Sequence, residues 1–145
     1  MSKYLFFSFI FLFEMSFAQT EKVKVLATTS MWADMARVIG SDFVEVETIV
    51  PIGSDPHLYE PTPSDVQKII RADVILINGL TFENWLVKLI SNVSQKDKSI
   101  LLTRNVTPIS SLDHKGATDP HAWMDVENGI LYITEIYKAL VKLDP

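Results

Sequence analysis

The sequence predicts an α/β protein with a four-stranded parallel sheet flanked by helices. Strand-like and helix-like patterns alternate four times between Val23 and Leu143, which is typical of parallel strands joined by helical crossovers. The run Val74–Ile77 is apolar at every position, as expected for a strand buried on both faces. Functional loops of such sheets leave the carboxyl ends of the strands, so the segments after the strands are where a site is expected.

The first half of the chain predicts two strands and two helices. In order, they are a strand over 23–27, a helix over 31–39, a strand over 43–50 and a helix that begins at 63. Ser30 is expected to cap the first helix, and Gly40 is expected to follow its last turn in a left-handed conformation. Pro51 ends the second strand because it cannot donate a backbone hydrogen bond.

The second half continues the alternation. The predicted elements are a strand over 74–77, a helix opened by Thr81 or Glu83, a strand over 99–103, a long loop over 105–118 and a helix over 127–143. Apolar residues recur in the last helix at steps of three and four, at Ile130, Ile133, Ile136, Tyr137 and Leu140, which predicts one buried face. Trp32 and Trp85 are expected in the core.

The N-terminus predicts a signal peptide over residues 1–18. Lys3 precedes a run of ten residues, 4–13, that is apolar except for Ser8 and is too short to span a bilayer. Ser16 and Ala18 place small residues at the −3 and −1 positions of a cleavage site. Residues 19–145 would then form one α/β domain of an exported protein.

Composition excludes several classes of site. The chain has no cysteine, so it has no disulfide, no thiolate metal ligand and no cysteine for a lipid anchor. A tetrathiolate zinc site is therefore excluded, and the expected protein is not lipid-anchored. The net charge of −5 argues against nucleic-acid binding.

Two short motifs share the sequence Asp-Pro-His and use two of the three histidines, His57 and His121. Proline restricts its own backbone and that of the residue before it, so each histidine follows a stiff segment. Taken alone, either copy is a turn with an exposed histidine. Taken together, they predict two half-sites for a metal at one edge of the sheet. Asp55 and Asp119 would either accept a hydrogen bond from an imidazole N–H or hold the loop backbone.

Three segments carry a family resemblance. Residues 53–65 read GSDPHLYEPTPSD, residues 72–80 read ADVILINGL and residues 119–125 read DPHAWMD. They resemble the solute-binding proteins of zinc and manganese ABC transporters, over about residues 23–145. The resemblance implies a receptor that captures one divalent metal outside the inner membrane and hands it to a membrane permease, as a monomer without catalysis.

The same resemblance implies two α/β lobes joined by a long helix, with the metal between them. Two histidine ligands from the first lobe fall on His57 and His121; a His or Glu and an Asp would come from a second lobe that this chain does not contain. The transported metal would be Mn²⁺ or Zn²⁺, with Fe²⁺ possible. The sequence around Ala122–Met124 is more similar to that of the manganese and iron members of the family.

Two other functions remain open. An open-site zinc hydrolase would need only two imidazoles and a carboxylate around a metal-bound water, although the sequence has no His-Glu-x-x-His helix. A surface adhesion module would leave both histidines incidental. His114, in neither motif, is expected to be a solvated loop residue.

Overall fold

The computed structural model of the protein describes residues 21–112 and 116–145. The predicted signal peptide and His114 lie outside these residues. The strands are β1 (Val23–Ala27), β2 (Val44–Thr48), β3 (Val74–Ile77) and β4 (Ser99–Leu101). The helices are α1 (Ser30–Gly40), α2 (Pro63–Arg71), α3 (Asn84–Asn92) and α4 (Val126–Leu143). Short 3₁₀ turns cover Ser41–Phe43, Lys96–Lys98 and Ala122–Met124.

The sheet confirms the predicted fold class. Its order is β2-β1-β3-β4, and every pairing is parallel. The chain runs from β1 to β2 on one side and then crosses to β3 on the other side of β1. The strand order therefore reverses between β1 and β3, where ligands commonly bind in open α/β sheets.

Helices cover both faces of the sheet. Alternate residues of β3 point to opposite sides: Val74 and Leu76 pack with side chains of α1 and α4, whereas Ile75 and Ile77 pack with those of α2 and α3. All four residues are buried, as the continuous apolar run predicted. Each face thus has its own apolar core, and the carboxyl ends of the strands are left free to carry loops.

The end of α1 differs from the prediction. Gly40 is the last helical residue with φ −87°, and the positive φ falls on Ser41 at 45°. A Cβ on Gly40 would lie 2.3 Å from Cγ1 of Val44. Glycine is therefore needed for the close approach of α1 to β2, not for a left-handed cap. The N-cap is Thr29 rather than Ser30.

Helix α4 is amphipathic, but the sheet buries only part of its apolar face. Ile136 and Leu140 are buried as predicted, whereas Ile130, Ile133 and Tyr137 are exposed. The buried side is completed by Tyr132 and Ala139. Among the described residues, no helix combines the length and hydropathy needed to cross a bilayer.

Candidate metal site

The two Asp-Pro-His loops meet at the carboxyl edge of the sheet. The first loop follows β2 and the second follows β4, which are the two outer strands of the sheet. The ring centroids of His57 and His121 lie 5.5 Å apart, and both residues are exposed. The tertiary structure thus brings together two imidazoles that are 64 residues apart in the chain.

Asp119 holds both the backbone and the ring of His121. Its Oδ1 accepts from the His121 backbone N–H at 2.9 Å and lies 2.8 Å from Nδ1. A carboxylate only accepts, so a neutral ring in this arrangement carries its proton on Nδ1 and keeps Nε2 as a lone-pair donor. The backbone N–H of His121, followed by its ring, keeps the pKa of the Asp119 carboxyl below its usual value. This arrangement is common around metal-binding histidines.

Asp55 makes the backbone contact of the same motif. Its Oδ1 accepts from the His57 N–H at 2.8 Å. Of the two roles considered from the sequence, Asp55 therefore fits loop stiffening, whereas Asp119 combines loop stiffening with ring orientation.

Phe82 packs against both histidines and forms a triangle of rings with them. Its ring centroid is 4.6 Å from that of His57 and 6.1 Å from that of His121, and both contacts are edge-to-face. Phe82 is only 3% exposed. Trp123 packs against Phe82 and His121, and Trp32 is fully buried behind it. The sequence pattern assigned no role to Phe82, although its place soon after β3, where functional loops are expected, was an available signal.

The first loop is held by an indole. Trp85 Nε1 donates to the carbonyl oxygen of Pro56 at 2.9 Å, and its ring packs against Tyr59. Tyr59 in turn donates to Oδ2 of Asp65 at 2.9 Å. Trp85 is half-buried and packs against the apolar core from its rim, so it is less buried than expected and also supports the residue before His57.

The second loop is held by an amide. Asn78 Nδ2 donates to the carbonyl oxygen of Pro120 at 2.9 Å, and the Tyr132 hydroxyl donates to Asn78 Oδ1. Both loops are therefore tied down at the proline that precedes their histidine, although by different elements.

Buried Glu83 accepts three hydrogen bonds below the site. Its donors are the backbone N–H groups of Asn78 and Gly79, at 2.7 and 3.0 Å, and the hydroxyl of Thr28 at 2.9 Å. Burial raises the pKa of Glu83, and the three donors oppose that rise. The sequence named Glu83 only as a possible helix start and did not predict this position.

Within the described residues, no group of three or more His, Cys, Asp or Glu side chains is arranged to hold a metal ion. Two imidazoles are a good partial ligand set for first-row transition metals. They are half of the four ligands that a tetrahedral ion needs. The two rings could therefore supply two ligands of such a site, and both are exposed to solvent.

Comparison with known proteins adds a family and several relatives. The family model described as ZnuA, zinc-uptake complex component A, periplasmic, matches residues 25–145. An iron ABC transporter substrate-binding lipoprotein, MtsA of Streptococcus pyogenes serotype M1, is 43% identical over 136 residues, which are 88% of this chain and 44% of the relative. The manganese ABC transporter substrate-binding lipoprotein scaA of Streptococcus gordonii is 38% identical, with the same coverage.

Solved structures of metal-binding proteins are also similar to this chain. The manganese-bound periplasmic metal binding protein of Candidatus Liberibacter asiaticus superposes with a TM-score of 0.76 at 39% identity, covering 86% of this chain and 47% of that one. A crystal structure of ZnuA gives a TM-score of 0.77 at 31% identity, covering 86% and 48%. The chain thus spans about half the length of the relatives it matches.

Proposed function

The chain belongs to the family of the periplasmic zinc-uptake component ZnuA, and from that membership we propose that it is the first lobe of an extracytoplasmic metal receptor. The receptor would capture a divalent transition metal through His57 and His121 and deliver it to the membrane permease of an ABC transporter. The observation that carries the proposal is the 5.5 Å separation of the two exposed rings.

That separation suits two imidazoles that share one ion. Metal–nitrogen bonds of about 2 Å at a tetrahedral angle put the two nitrogens about 3.4 Å apart, with each ring centroid about 1 Å behind its nitrogen. Centroids 5.5 Å apart are within reach of that geometry without unfolding either loop. The stiff Asp-Pro segments limit the entropy lost when the ion orders the rings.

The rest of the coordination shell would come from a second lobe. The resemblance implies a His or Glu and an Asp there, and the relatives, about twice as long as this chain, leave room for such a lobe. Residues 1–18 would be the export signal and residues 19–145 the first lobe of a monomeric receptor. The metal would be Mn²⁺, Zn²⁺ or Fe²⁺; the relatives' names include iron and manganese.

The relatives bear on two earlier expectations. Several are named lipoproteins, which conflicts with the expectation of a protein without a lipid anchor, an expectation drawn only from the lack of cysteine. They are also named as substrate-binding components of transporters, which counts against the zinc hydrolase. In the described residues, no feature favours an adhesion module.

The proposal is tested by metal binding to the complete gene product after removal of bound metal. His57→Ala and His121→Ala should each weaken binding of Zn²⁺ and Mn²⁺ by at least about tenfold, since each removes a direct ligand. Both side chains are exposed, so circular dichroism should stay unchanged. His114→Ala is the matched control and should bind as the wild type does. Wild-type affinity in the double variant His57→Ala/His121→Ala would contradict the proposal.

A further inference from the structure

We propose that residues 78–83, the turn between β3 and α3, position both imidazoles at ligand-sharing distance before any metal arrives, and that Glu83 is the positioning residue that anchors this turn. The inference rests on the proposed function and adds to it the residues that set the spacing of the two rings.

The backbone of the 78–83 turn is strained. Three consecutive residues have positive φ angles, namely Gly79 at 88°, Leu80 at 50° and Thr81 at 70°. Glycine adopts that region freely, but for a leucine it is uncommon, and for a β-branched threonine it is an outlier. Such strain persists only where surrounding contacts over-determine the conformation, and it concentrates at functional sites.

Glu83 supplies those contacts. Its Oε1 accepts from the backbone N–H of Asn78 and from the hydroxyl of Thr28, and its Oε2 accepts from the N–H of Gly79. Thr28 directly follows β1, and Asn78 directly follows β3. The carboxylate therefore joins the turn to the ends of the two neighbouring strands between which the strand order reverses. It is 1% exposed, so water competes little for these bonds.

The same turn reaches both half-sites. Phe82, next to Glu83, has its ring against His57 and His121. Asn78, at the other end, donates to the carbonyl of Pro120, one residue before His121. A shift of the turn would therefore move two contacts together, namely the Phe82 ring that packs against both imidazoles and the hydrogen bond from Asn78 to the second loop. A single buried carboxylate thus controls the spacing of two ligands that it does not touch.

The test compares Glu83→Gln with Glu135→Gln. The first change puts an amide N–H₂ where an oxygen faces a backbone N–H, so one hydrogen bond of the turn is replaced by a donor–donor clash. The second makes the same chemical change at another buried carboxylate, whose partners Asn105 and Lys138 belong neither to the 78–83 turn nor to the two Asp-Pro-His motifs. Two readouts are needed on the complete gene product. One is the set of nuclear Overhauser contacts from the Phe82 ring to both imidazoles in metal-free protein; the other is Zn²⁺ affinity.

Glu83→Gln should lose the contact from Phe82 to at least one imidazole and should weaken Zn²⁺ binding about tenfold, as outer supporting residues of metal sites commonly do. Glu135→Gln should keep the wild-type Phe82–imidazole contacts and the wild-type Zn²⁺ affinity. A Glu83→Gln protein that keeps the wild-type value in either readout would overturn the inference. A purely structural role would lower stability without moving these contacts in the folded protein.

If Glu83→Gln does not fold, Thr28→Val and Thr28→Ser decide the question. Valine keeps the shape and removes the hydroxyl that donates to Glu83, whereas serine keeps the hydroxyl. Thr28→Val should weaken the ring contacts and Thr28→Ser should restore them; equal contacts in the two would refute the inference. Failure of the wild type to bind Zn²⁺ or Mn²⁺ would refute the proposed function, and the metal-free contacts would still decide whether the turn positions the rings.

Discussion

One carboxylate oxygen of Asp119 accepts two hydrogen bonds from His121, one from the backbone N–H at 2.9 Å and one from ring Nδ1 at 2.8 Å. At Asp55 the corresponding bond comes from the backbone of His57. The two motifs share a sequence, but the second has its ring oriented by a carboxylate. That asymmetry leads to the first prediction.

Asp119→Asn should weaken Zn²⁺ binding about tenfold, because a neutral amide orients the ring less firmly and makes it a less basic ligand. Asp55→Asn is the matched control and should have a smaller effect, because Asp55 accepts its hydrogen bond from the backbone N–H of His57. Calorimetric titration of both variants measures the difference. An equal or larger loss in Asp55→Asn would contradict the prediction that ring orientation by Asp119 strengthens binding.

Trp85→Phe should loosen the first loop. The indole N–H bond to the carbonyl of Pro56 is lost while an aromatic ring still packs against Tyr59, so the free energy of unfolding should fall by about 0.5–1.5 kcal/mol. Urea unfolding measures the change. Faster amide hydrogen exchange at His57 should accompany it; an unchanged exchange rate there would mean that the bond does not stiffen the loop.

Gly40→Ala should lower the free energy of unfolding by about 1–3 kcal/mol, because the new Cβ overlaps Val44 and forces α1 away from β2. Gly129→Ala is the opposite case. Nothing lies within 4 Å of a Cβ built at Gly129, so alanine there should stabilise α4 by about 0.5–1 kcal/mol. Thermal unfolding of both variants tests the pair, and equal stability of Gly40→Ala and the wild type would contradict the packing argument.

Asp65 should make stability depend on pH in the acid range. Burial raises the pKa of this carboxyl, but bonds from Thr62 and Tyr59, together with Lys68, more than offset the rise, so its pKa in the folded protein is lowered. The unfolded value is about 3.9. A lowered folded pKa means that the stabilisation is fully present well above pH 4 and is lost as the pH falls through the folded pKa.

Asp65→Asn should therefore reduce the difference in unfolding free energy between pH 7 and pH 3. Urea unfolding at the two pH values gives that difference, with the exposed Asp55→Asn as the control for loss of one carboxylate. If Asp65→Asn keeps the wild-type difference, the network at the start of α2 does not supply this acid sensitivity.

Local pattern was sufficient for most elements. The bounds predicted for β1 and β3 agree with the structure, and α4 begins one residue earlier than predicted. Strand β4 ends two residues earlier than predicted. The end of α1 was misassigned because the need for glycine at position 40 comes from Val44 on the neighbouring strand. A contact of that kind has no signature in helix-capping rules.

The alternation of strands and helices was enough to predict the parallel sheet. The two Asp-Pro-His motifs, each placed after a strand, were enough to predict that both loops meet at one edge. These are properties of short segments and of strand direction, which the chain carries locally. The roles of Phe82, Asn78, Trp85 and Glu83 required the folded protein. Each depends on a partner from another element, and packing selects such partners by three-dimensional fit that residue spacing does not encode.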